Sequence, residues 1–126
     1  MPRLCRIRLR FAPGVSALIR TRLMYLARWF EVTQNVEHEI SVSVGPDSYV
    51  ISDPSDREYR DRQGCFSYPT KREPGRIKVA GRQSIQEASL TLLHELVHYD
   101  RWRLGKTHGE VRVEREAVKL LIQAMR

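Results

Sequence analysis

The run His94-Glu95-Leu96-Val97-His98 lies inside a stretch whose apolar residues recur at helical spacing, and it constrains this chain more than any other feature. Ile85, Leu92, Leu96 and Tyr99 form one apolar stripe of the predicted helix, and Leu90, Leu93 and Val97 form another. A helix that is apolar on both flanks is a buried one. Residues four apart share a helical face, so both imidazoles project together from a single buried turn. Desolvating two imidazoles and a carboxylate there is unfavourable without a compensating partner. A metal ion is such a partner, and a rigid helical turn offers it two nitrogens with little further loss of freedom.

The spacing is the H-E-x-x-H pattern, for which zinc is the expected ion and His94 and His98 the expected ligands. Glu95 leans beside the metal rather than onto it. There it is placed to take a proton from zinc-bound water, whose pKa falls to about 7, and to hand it to a leaving amine. The residues therefore point to a zinc-dependent endopeptidase with Glu95 as general base. The competing reading is a non-catalytic, zinc-stabilised module that binds nucleic acid or protein, and a fourth protein ligand closing the coordination sphere is what would distinguish it.

A catalytic zinc needs a third protein ligand. A histidine at position 104 would mark the metzincin pattern, but that position is Leu104. His108, Glu110, Glu114 and Glu116 remain. At about 100° per residue, Val113, Ala117, Val118, Leu121, Ala124 and Met125 define an inward arc of the last helix, with Glu114 near its middle. Glu110 also points inward, but from the first turn, where a carboxylate ordinarily stabilises the helix dipole. Glu116 falls on the solvated side. Glu114 is the expected third ligand and His108 the second choice; His108 also suits a helix cap or an oxyanion donor.

Elsewhere the pattern is α+β. Cys5, Ile7, Leu9 and Phe11 alternate with arginines as a strand with one buried face, and Val15, Ile19, Leu23, Leu26 and Phe30 recur as an amphipathic helix. Val36 to Val44 alternates as a second strand, with His38 on its apolar face. Tyr49 to Ile51 is a short strand candidate, and Ser52 to Gly64 is polar and aperiodic, the expected mobile loop. Cys65 to Tyr68 and Arg76 to Ala80 are further strands. Ser84 with Glu87 forms a capping box that opens the helix running to about Leu104, Gly105 stops it, and a last helix starts near His108 or Gly109. The 126 residues have room for one domain, spanning 1–126, with a small mixed sheet packed on an N-terminal helix, a buried active-site helix and a C-terminal helix.

Net charge is +7, which favours loose association with nucleic acid or acidic surfaces. The early arginines alternate with strand residues, so the N-terminal segment reads as fold rather than as a targeting peptide. No run approaches the roughly 18 apolar residues of a membrane span. Cys5 and Cys65, far apart, read as reduced thiols. Together these features point to a cytoplasmic protein with no membrane partner.

Gly75-Arg76-Ile77-Lys78-Val79, Leu92-Leu93-His94-Glu95-Leu96-Val97-His98-Tyr99 and Glu114-Arg115-Glu116-Ala117 resemble the ImmA/IrrE family of small zinc metallopeptidases, over about the last fifty residues. The resemblance implies a zincin-like fold, a gluzincin-type site completed at the position of Glu114, and a protein substrate, since known members act on DNA-bound repressors. Small size, basic character and His108-Gly109 also resemble SprT-like proteases, which use a third histidine. Similarity to zincins further implies that the strand before the active helix, Arg76 to Ala80, lines the cleft and pairs with extended substrate. It also implies an oxyanion donor, for which Tyr68, Tyr99 and His108 are candidates, and a residue orienting the histidines, for which Asp100 is the candidate.

Overall fold

A computed structural model describes residues 5–50 and 62–126. The expected loop from Ser52 lies outside the described residues up to position 61, and of the short strand candidate Val50 alone pairs, as an isolated bridge to Arg62. The strands β1 (Ile7–Phe11), β2 (Ile40–Gly45), β3 (Gly64–Ser67) and β4 (Gly75–Ala80) form a mixed sheet in the order β1-β2-β4-β3. Helix α1 (Ala17–Thr33) connects β1 to β2, while α2 (Ile85–Arg103) and α3 (Glu110–Ala124) follow the sheet. The α+β expectation therefore holds.

The first three strands of the sheet order run parallel, and β3 joins β4 antiparallel. Strand β4 is thus internal. The expectation that Arg76 to Ala80 offers a free edge to a substrate is corrected: both edges of β4 are occupied, and β3 is the edge strand beside α2 among the described residues. At the opposite edge the backbone of Ile7 is covered by side chains of α1. Its N–H donates to Glu31 Oε1 at 2.6 Å, and its carbonyl accepts from Arg28 Nη2 at 2.7 Å. The outward backbone groups of the edge strand are thereby satisfied at Ile7.

Alternation gives the sheet two unlike faces. Ile7, Ile40, Val42, Val44, Ile77 and Val79 are buried under the helices. Arg8, Arg10, Arg76 and Lys78 stand exposed on the other face. His38 precedes β2 rather than lying in it, and its ring packs against Tyr99 and Trp102.

Helix α2 is built as its sequence predicts. The Ser84 hydroxyl accepts from the Glu87 N–H at 3.1 Å while Glu87 accepts from the Ser84 N–H at 3.2 Å, completing the capping box. Leu92, Leu93, Leu96, Val97 and Tyr99 are fully buried, because α2 packs on β3, β4, α1 and α3 at once. Gly105, at φ +68°, ends the helix in a left-handed conformation that glycine adopts without strain. Helix α3 docks on α2 through Val113, Ala117, Leu121 and Ala124. Val118 and Met125, expected inside, are 42% and 45% exposed: α3 has α2 as its main helical neighbour, and one neighbour covers a narrow arc. No helix among the described residues is long and apolar enough to cross a membrane, and both cysteines are free.

Candidate metal centre

His94 and His98 project from one face of α2 with ring centroids 4.9 Å apart. Glu110, the first residue of α3, spans both rings: its Oε2 lies 2.8 Å from His94 Nε2 and its Oε1 lies 3.0 Å from His98 Nε2. One ligand atom from each of these three residues falls within 4.8 Å of the others, so the group can hold a metal ion. Two imidazole nitrogens and a carboxylate oxygen suit zinc among the common ions.

Glu114 sits one turn further along α3, 3.4 Å from the other nitrogen of His94. The two histidines and Glu114 are therefore brought together, with Glu110 interposed at the Nε2 atoms. The reason lies in the helical wheel. With Val118 and Met125 outside, the buried arc of α3 centres between Val113 and Ala117. At about 100° per residue Glu110 lies roughly 25° from that centre and Glu114 roughly 65°. The two exposed apolar residues drew the arc predicted from sequence toward Glu114. The role of Glu110 was masked by an ordinary one, since it also sits in the first turn where acids favour the dipole.

Glu95 is buried at 7% exposure on the cleft side of α2. Gly64, opening β3, lets the edge strand approach it: a β-carbon there would lie 2.6 Å from Thr91 Cγ2 and 3.2 Å from Glu95 Oε2. Desolvation raises the Glu95 pKa to about 7, against the opposing pull of His94 and with help from Glu110 and Glu114. Burial also drives His98 below its ordinary value, despite the charge of Glu110. For Glu110, partial burial pushes the carboxyl up, but His98 and His94 together outweigh it and hold the group low. The Cys65 thiol on β3 is pushed up by burial and then by the Glu95 charge.

His108 lies beside the cluster, its Nδ1 2.9 Å from His98 Nδ1, so it orients that ring and leaves Nε2 facing Glu110. Asp100, the expected orienting residue, instead accepts from Arg103 at 2.7 Å. Tyr99 is likewise corrected as an oxyanion candidate. Its hydroxyl faces away from the cleft, accepting from the N–H groups of Glu37 and His38 at 3.0 and 3.1 Å and lying 2.8 Å from His38 Nδ1. Tyr68, exposed and stacked on Trp102, stays at the cleft with His108. Glu116 is no free surface charge: the buried Arg101 pairs with it and also donates to the Thr107 carbonyl. Arg101 thus ties α3 and the loop carrying His108 to α2.

These groups line an open cleft of about 650 Å³ bounded by β3, α2 and the His108–Glu110 segment. Comparison with protein-family models, curated proteins and solved structures finds no match for this chain. The site itself offers three residues that could hold a metal ion, a buried carboxyl whose pKa is raised to about 7, and an open cleft beside them.

Two outcomes follow. Tyr99→Phe removes the acceptor of two backbone N–H groups and should lower stability by about 1–3 kcal/mol, read by urea unfolding, while zinc affinity stays unchanged. A raised carboxyl favours the folded state only where it is protonated, so metal-free stability falls as pH rises from 4.5 to 7 on this group's account. Glu95→Gln should accordingly stabilise the metal-free protein by about 3 kcal/mol above pH 7 and by almost nothing below pH 4.5, measured as the pH dependence of the unfolding midpoint.

Proposed function

We propose that this chain is a zinc-dependent endopeptidase that hydrolyses peptide bonds of a protein substrate, with His94, His98 and a carboxylate of α3 as metal ligands and Glu95 as general base. The observation that carries the reading is the convergence of two Nε2 atoms and a carboxylate next to a second, buried carboxyl with a pKa of about 7. A zinc ion held there supplies Lewis acidity that makes water a competent nucleophile near neutral pH. Glu95 takes up the proton released in the attack and returns it to the leaving amine, and a pKa near neutrality serves both directions. The wall formed by β3 keeps bulk water from its carboxyl, and Gly64 permits that close approach. His108 holds the His98 ring in register. Tyr68 and His108, both lining the cleft, are the oxyanion donors available.

Strand β3 is the edge strand beside the cleft among the described residues, which suits an extended polypeptide added by backbone pairing. A neighbouring hollow of about 560 Å³, between His94, Glu110, Val111 and Val118, suits an apolar side chain of that polypeptide. The motif resemblance to ImmA/IrrE peptidases supports the same class, and the free thiols agree with a cytoplasmic setting. The non-catalytic alternative requires a fourth protein donor. Among the described residues the converging group has three.

Purified Glu95→Gln should keep its zinc and lose turnover of an unfolded protein by about 10²-fold or more. Loss of zinc, or unchanged turnover, sinks the assignment. Comparing Glu110→Ala with Glu114→Ala by chelator competition identifies the third ligand. The contacts to both Nε2 atoms predict the larger loss of zinc affinity, about tenfold or more, for Glu110→Ala; the reverse order returns the role to Glu114.

A further inference from the structure

Helix α3 has two apolar stripes. Val113, Ala117, Leu121 and Ala124 make the seam with α2; at about 100° per residue, Val111, Val118, Ile122 and Met125 make a second stripe, turned from the seam by roughly 115°. That second stripe stands in solvent. Val111 is 71% exposed, Val118 42%, Ile122 55% and Met125 45%. A face that serves solubility alone is charged and mixed, whereas a contiguous apolar patch marks a surface that another molecule covers.

Helix α2 turns the patch into a groove. Gln86, Leu90 and His94, each one turn apart, stand across from the stripe over two hollows that share Val118. One, of about 460 Å³, lies between Arg22, Gln86, Leu90, Ile122 and Met125; the other, of about 560 Å³, is the hollow beside His94, Glu110 and Val111. From Val111 to Met125 the groove runs about 21 Å, and the diameter of one helix, about 10 Å, sets its scale across. The border away from α2 is basic: Arg112, Lys119 and Arg126 recur at every seventh residue beside Val111, Val118 and Met125, and all three are exposed.

We infer that this groove docks an amphipathic α-helix of the protein substrate, with apolar residues at intervals of three and four and acidic residues along one border. That the helix belongs to the substrate rests on the peptidase reading; that the groove holds it does not. The apolar positions of α3 follow one another at the spacing by which one helix packs along another. A footprint of roughly 20 by 10 Å is what a single helix covers, and it falls well short of the about 800 Å² that each partner buries in a stable complex of folded domains, so a second copy is not the occupant. The basic border matches an acidic one on the docked helix and fixes its rotation. The groove also opens on the metal centre, because His94 and Glu110 line both its nearer hollow and the cleft. A chain leaving the docked helix at that end passes the metal donors. Docking of this kind supplies selectivity for a substrate that backbone pairing with β3 does not.

The test uses a fluorescein-labelled peptide of about 15 residues, long enough to span the groove, with leucines at intervals of three and four and glutamates along one border. A second peptide has the same composition in scrambled order. Anisotropy on the Glu95→Gln protein, with and without zinc, should show the ordered peptide binding at least tenfold more tightly, with a gain of helical circular dichroism. Ile122→Asp with Met125→Asp should weaken that binding at least tenfold. Arg112→Glu with Lys119→Glu should weaken it too, and should tighten a peptide bordered by lysines instead. Equal binding of the two peptides, unchanged binding by the Ile122 and Met125 variant, or a dimer in sedimentation that this variant dissolves would each overturn the inference. If its unfolding midpoint falls, Ile122→Ser with Met125→Ser gives the same reading. Fusing the ordered peptide to an unfolded protein should lower KM about tenfold and leave kcat unchanged. A fusion that is bound but never cleaved sinks the peptidase reading and leaves the groove standing. Turnover that ignores the fused peptide sinks the groove and leaves the peptidase reading.

Discussion

The structure depends on burying α2 along most of its length while leaving one turn of it polar. Tyr99, Leu92, Leu93 and Leu96 are sealed on sheet, α1 and α3, and the same rigid helix carries His94, Glu95 and His98 into a place where water is scarce. Packing and chemistry are therefore opposed along a single element. The apolar stripes fix the direction in which the imidazoles point, and the carboxyl of Glu95 bears the consequence as a pKa near 7. Groups held at protonation states that their surroundings disfavour are what a metal ion or a substrate relieves on binding.

Much of this was legible from residue order. The capping box, the glycine stop and the two-sided apolar pattern of α2 are local signals, settled within one helical turn, and the strands announced themselves by alternation. The position of β3 was not legible. It is a four-residue strand whose place at the edge depends on a hairpin-like return outside β4, and nothing in its own composition says which neighbour it takes.

The misplaced side chains share one cause. Helical spacing reports which residues are apolar, not how much neighbouring surface exists to cover them. Val118 and Met125 belong to the apolar side of α3 yet remain exposed, and including them rotated the inferred arc toward Glu114. Tyr99 failed, and the ion pair of the solvated Glu116 went unread, for the complementary reason. Each has a partner more than ten residues away in sequence, the turn at Glu37–His38 and Arg101 respectively, and those partners exist only once the chain is folded.

Helix α3 is the element on which the site turns. Its seam with α2 is made of Val113, Ala117, Leu121 and Ala124. Arg101 adds a polar tie to that seam, because its contacts to Thr107 and Glu116 bracket every residue that α3 and its leading loop bring to the cleft. Beyond that clamp, the carboxylates of α3 meet α2 only through His94 and His98. On the proposed reading a zinc ion joins the two helices at that point, so its binding energy is also docking energy for α3, and metal occupancy and the stability of the C-terminal helix rise and fall together.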